Sequence, residues 1–218
     1  MAANWTQVVA AQRLGVTQAY LSMVECGKRD VSSSLAARAI RVLSVPATVL
    51  PIGGHDMPLR NAGFFQEALG TLGYPGFAYL KSPIKLNPAE LLMAALDTDD
   101  LDSRVVEGLP WVPFAYPKLD WDWLGLNARM RDRQNRLGFV VEMARQVAGK
   151  ENGMELMAQL AQRVAPLERS RLAREDTLCK ESMTQAERKW LRKHQSRAAA
   201  HWNLLTDLTV EQLDHAYN

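Results

Sequence analysis

Two glycines cut the first fifty residues into three short amphipathic segments, and that spacing constrains the fold more than any other feature of the chain. Residues 6–14, 17–26 and 33–43 each carry apolar side chains three and four apart, with Gly15 and Gly27 as the breaks. Three short helices therefore fit in fewer than fifty residues, around a core expected from Val9, Leu14, Leu21, Val24, Leu35, Ala39 and Leu43. Thr17 supplies a capping hydroxyl at the start of the second segment.

Beyond this head the composition changes. Three prolines and the Gly53-Gly54 pair within VPATVLPIGGHDMP exclude a continuous helix and mark a boundary, so the organisation expected is a head over 1–50, a linker over 51–60, a helical middle domain over 61–165 and a helical C-terminal extension over 166–218. In the middle domain the spacing predicts helices over 61–72, over 88–96 behind an Asn87-Pro88 cap, over 103–109, and one long helix over 120–148. Residues 73–83, rich in aromatic and turn residues, read as a hairpin or an irregular loop. Further helices are expected over 154–164, 166–175, 184–194 and 209–217, the third with a capping box in Thr184 and Glu187. The fold class is all-α: a small helical head followed by a larger irregular helical domain.

Composition narrows the class. A chain of 218 residues with 47% hydrophobic and 23% charged residues has the makeup of a globular protein long enough to bury a core without staples. Cys26 and Cys179 are too few and too far apart for a disulfide framework, which fits a reducing compartment. The opening MAANWTQVVAAQRLG lacks a basic region followed by an apolar block, and no stretch approaches about 18 uninterrupted apolar residues. The expectation is a cytoplasmic protein without a membrane span. Charge is uneven, with 5 basic and 2 acidic residues in the first fifty against 5 and 10 over 51–128, so the two regions suit different partners.

The segment WTQVVAAQRLGVTQAYLSMVECGKRDVSSSLAARAIRVLSVP resembles the phage-repressor-type (Xre/Cro) helix-turn-helix family. Its features fall in register: a first helix from Thr6-Gln7, a small Ala10 where two helices approach closely, a turn at Leu14-Gly15-Val16, and a second helix stopped by Gly27. The resemblance implies that the second helix enters the DNA major groove while the first crosses the backbone. On that geometry Gln18 is the leading base reader, since its amide donates and accepts together at an adenine edge, with Tyr20 and Ser22 next in reach. Gln7, Thr17, Lys28 and Arg29 suit phosphate oxygens, which set register without reading sequence. The alternative is that these are ordinary helices of a larger bundle with Gln18 on a solvated face. Two departures stand out. Only residues 1–5 precede the first helix where the family has a further one, which would uncover the core near Val9 and Val24. Met23 and Cys26 replace arginines common in the family, which predicts fewer phosphate contacts.

In the larger domain, Trp111, Phe114, Tyr116, Trp121 and Trp123 lie within 13 residues and form either a core at a proline-rich corner or an interface anchored by tryptophan. Arg129, Arg133 and Arg136 make a basic stripe, read as a solvated face or as a grip on an acidic partner. The last fifty residues spread Leu178, Met183, Trp190, Trp202 and Leu205 along a charged extension that either wraps a partner or folds back. Partner contacts are expected from Trp190, Trp202, Trp111, Trp121 and Trp123.

No residue pattern argues for an enzyme, a cofactor or a metal. His55, His194, His201 and His215 have no ligand spacing with either cysteine, and no phosphate loop, HExxH or GxSxG occurs. The run Asp97, Asp99, Asp100, Asp102 lacks the glycine and terminal glutamate of a calcium loop. The function expected is a sequence-specific DNA-binding transcriptional regulator acting as a homodimer on a double-stranded operator. Residues 104–124 and 174–191 also resemble regulators encoded beside nucleotidyltransferase-like (AbiEii-type) toxins, which implies an antitoxin that represses its own operon and holds a toxin protein. The alternative is a free-standing dimeric repressor whose C-terminal domain dimerises or senses a small ligand.

Overall fold

A computed structural model of the chain describes residues 5–52, 62–80, 82 and 85–216. It is mostly helical, as the periodicity predicts. The head comprises α1 (Gln7–Leu14), α2 (Gln18–Glu25) and α3 (Ser33–Val42). Each begins on a hydroxyl: the side chains of Thr6, Thr17 and Ser32 accept from the backbone N–H groups of Val9, Tyr20 and Leu35. Gly15 ends α1 at φ 63°, and Gly27 follows α2 at φ 68°, left-handed conformations that cost glycine nothing. Ala11, Leu14, Leu21 and Leu35 are buried, with Ala10, Tyr20, Ala39 and Val42 packed beside them. Val9 and Leu43, expected in this core, are exposed.

The head runs directly into the second core. A 3₁₀ turn at Ala47–Val49 buries Ala47 and Leu50 among residues of the large domain. Asn87 fastens this join: its Nδ2 donates to the carbonyls of Thr48 (3.3 Å) and Leu50 (2.7 Å), while its Oδ1 caps the helix that follows. Most of the linker expected over 51–60 lies outside the described residues, as does His55.

In the large domain, α4 (Ala62–Leu72) is followed by a 3₁₀ turn at Pro75–Phe77, so the hairpin considered for 73–83 is replaced by a fold-back with no strand among its described residues. Gly70 permits it, because a Cβ there would lie 2.2 Å from the Phe77 carbonyl oxygen. Next come α5 (Pro88–Leu96), buried at every position, α6 (Ser103–Gly108) and α7 (Trp111–Ala115).

The single long helix expected over 120–148 is two: α8 (Trp121–Met130) and α9 (Gln134–Lys150). Asp132 adopts φ 56°, and the N–H groups of Arg133 and Asp132 return to the carbonyls of Ala128 and Arg129, a helix-ending pair usually built on glycine. Conversely, the helices expected over 154–164 and 166–175 are one, α10 (Met154–Arg169), with Pro166 inside it. Leu156, Leu160, Val164 and Leu167 keep one apolar stripe facing the core across the proline. The boundary expected at 165/166 thus falls within a helix.

The tail folds back. A two-residue strand β1 (Asp176–Thr177) pairs in parallel with β2 (Leu204–Leu205). Between them lie α11 (Gln185–His194), which carries the expected Thr184–Glu187 capping box, and α12 (Arg197–His201); a 3₁₀ segment at Val210–Ala216 stands where a helix was expected. Trp202 is fully buried beside α9, as are Leu204 and Leu213.

One polar hub holds these parts together. Arg136, expected on a solvated stripe, is completely buried; it donates twice to Asp176 (2.9 and 3.0 Å), to Glu181 (2.8 Å) and to the carbonyl of Leu96 at the end of α5. Arg133 pairs with Asp97 and Asp99, which leaves Arg129 as the exposed member of the stripe.

Candidate nucleic-acid interface

The outer face of α2 is built by capping and spacing. Thr17 fixes the helix start, its oxygen accepting from the N–H of Tyr20 at 3.2 Å, and this leaves the hydroxyl hydrogen free to donate. Gln18, Ser22 and Glu25 follow at helical spacing on one face, while Leu21 turns into the head's core.

An amide chain joins α1 to that face. Gln7 Nε2 donates to Glu25 Oε2 at 2.6 Å, and Gln18 Nε2 donates to Gln7 Oε1 at 3.2 Å. Glu25 can only accept when ionised, so it sets which way the Gln7 amide faces and thereby where Gln18 donates. Gln18 retains one Nε2 hydrogen and its Oε1, a donor and an acceptor side by side on an exposed side chain. No feature of the spacing alone pointed to Glu25 or to the coupling of Gln7 with Gln18.

The remaining expected contacts divide. Thr17, Lys28 and Arg29 are exposed, at the start of α2 and just beyond its end. Tyr20 lies apart from Gln18 and Ser22: its ring packs against the small core and its hydroxyl donates to the carbonyl of Asp30 at 3.4 Å. Helical spacing puts residue 20 on the side of Leu21 and Val24, with Tyr20 half-buried. Ser22 is half-buried on the outer face. Val8 and Val9 on α1 are 57% and 37% exposed and Val24 on α2 is half-buried, while Trp5 lies under the Arg13 guanidinium at 4.2 Å.

The tryptophans expected to hold a partner separate by burial. Trp111 is buried against Tyr74 and Tyr116, Trp121 and Trp123 are half-buried beside the core, and Trp202 is fully buried. Trp190 alone among them is open, 51% exposed on α11 and stacked on His194.

No three His, Cys, Asp or Glu side chains among the described residues are placed to hold a metal ion. The aspartate run is occupied structurally: Asp97 and Asp99 pair with Arg133, Asp100 accepts from Ser182, and Asp102 caps α6. Burial pushes the Cys179 thiol up to about 12 despite the nearby Arg136 charge, so it is an unreactive core residue.

Residues 1–50 match a helix-turn-helix family model, the span that contains α1, α2 and α3. The match covers the head alone and supports a DNA-binding helix-turn-helix module like those of transcriptional regulators. No curated protein and no solved structure matches the chain. No helix among the described residues is long and apolar enough to cross a membrane.

Proposed function

We propose that the protein represses transcription of its own operon as a cytoplasmic homodimer, reads the operator through Gln18, and uses the domain beyond the head to hold a partner protein, as an antitoxin holds its toxin. It acts by binding and not by catalysis. The observation that carries the DNA-reading part is the Glu25–Gln7–Gln18 chain, which leaves Gln18 with one donor and one acceptor, the pair that matches N7 and N6 of adenine. Ser22, one turn further along α2, reaches the neighbouring base edge. Thr17, Lys28, Arg29 and the spare Gln7 amide hydrogen lie against phosphates and supply affinity without sequence preference.

One recognition helix spans only a few base pairs, so selectivity over bulk DNA calls for a second copy about 34 Å away on the same face of the duplex. Footprinting of the full chain on the DNA upstream of its own gene tests this. Two protected half-sites about one helical turn apart are expected; a single unrepeated half-site would contradict the dimer.

The partner reading rests on Trp190, which is exposed in a tail whose Leu178, Met183, Leu191, Trp202 and Leu205 side chains are buried. An exposed, stacked indole is an anchor of the kind that dominates protein interfaces. Co-expression with the product of the adjacent gene is the test, with a stable complex expected.

A further inference from the structure

Beside Trp190 the surface opens into a groove of about 530 Å³ between α11, α6 and the segment after β2. Its floor is apolar, lined by Leu101, Val106, Met183, Leu191 and Leu208. Met183 and Leu191, with Leu205, form a small buried cluster separate from the main core, so the floor has its own support. The Trp190 ring forms one wall, held by a 4.2 Å stack on His194, whose Nδ1 lies 2.8 Å from the Trp190 carbonyl oxygen.

The charged residues lining the groove are Glu107, Glu187, Asp207 and Lys180. Lys180 lies 3.9 Å from Glu187, so those two offset each other. Glu107 and Asp207 remain, neither in an ion pair with a described residue, and the lining carries net negative charge although the chain as a whole is at +2. An apolar floor with an acidic margin complements a segment that has apolar side chains along one face and lysine or arginine beside them.

We infer that this groove docks an amphipathic, basic helical segment of the partner protein, with its apolar side chains on Met183, Leu191 and Leu208 and its cations facing Glu107 and Asp207. This deepens the partner-binding reading above and rests on it. The groove is open along one side and Trp190 stands half in solvent, which suits a segment laid across it better than a small molecule enclosed within it.

The test uses the full chain and two labelled 18-residue helical peptides sharing one leucine stripe, one with lysine and one with glutamate on the polar face. Fluorescence anisotropy should show binding of the lysine peptide and not of the glutamate peptide. Trp190→Ala, and separately Glu107→Lys with Asp207→Lys, should each weaken it roughly tenfold or more while circular dichroism stays unchanged. Failure of the lysine peptide to bind, equal binding of both peptides, or unaltered binding to folded variants would overturn the proposal. The same variants in co-expression with the adjacent gene product separate the two readings. A complex that survives the substitutions places the partner elsewhere and overturns the groove alone, whereas no complex with the unmodified chain overturns partner-holding itself.

Discussion

The indole of Trp202 packs against Gly138 of α9, so close that a Cβ at residue 138 would sit 2.3 Å from two of its ring carbons. The tail is thereby locked to the central helix by the absence of one methyl group. Gly138→Ala should force the ring or the helix to shift and cost about 1–3 kcal/mol. Trp202→Ala, which leaves a cavity, should cost about 3–5 kcal/mol. Urea denaturation of both variants checks the ranking. Trp202→Ala with unchanged stability would show that this indole is not part of the core.

The Arg136–Asp176 pair predicts a pH dependence. Burial opposes ionisation of Asp176, but the doubly bonded Arg136 guanidinium outweighs it and holds the carboxyl below its ordinary value of 3.8. A depressed folded-state value means that the pair stabilises the protein above the ordinary carboxylate range, and that this contribution is lost as pH falls through the folded-state value. Asp176→Asn, which leaves part of a buried cation uncompensated, should cost roughly 3 kcal/mol near neutrality and flatten the acid limb of the stability curve. Thermal unfolding of both proteins between neutral and acidic pH measures the difference; parallel curves would reject the assignment.

Asn87 ties the head's end to α5 through two hydrogen bonds donated by one buried side chain, whose oxygen also caps α5. Asn87→Ala removes a cap and strips the Thr48 and Leu50 carbonyls of a donor, for a loss of about 1–3 kcal/mol. Hydrogen exchange should accelerate at residues 47–50 more than in α9. Uniform acceleration across the chain would show that the join has no local role.

Local signals carried the head and failed where the determinants were distant. Caps at Thr17, Asn87 and Thr184 and breaks at Gly15 and Gly27 are written in adjacent residues, and the structure uses each of them. The stop at Asp132 has the geometry of a glycine-based ending without the glycine, so the 120–148 helix looked continuous. Pro166 looked like a boundary because the stripe that overrides it is set by packing on α9. Arg136 shares a helical face with Val140, Met143 and Val147, a signal of burial, yet its counter-charges lie 40 and 45 residues away. Two-residue strands such as β1 and β2 carry too little alternation to be read. On α2 the exposed position of Gln18 is legible from the capping register, whereas the Glu25–Gln7–Gln18 hydrogen-bond chain exists only through the packing of α1 on α2.

Gln18 as the sequence reader is tested most directly by measuring the affinity of Gln18→Ala and Lys28→Ala, each in the full chain, for the protein's own upstream DNA and for random DNA across a salt series. Gln18→Ala should lose about 1–3 kcal/mol on the upstream DNA and little on random DNA with the salt slope unchanged, while Lys28→Ala should weaken both alike and reduce the slope by about one. Equal losses on the two DNAs for Gln18→Ala would contradict the account.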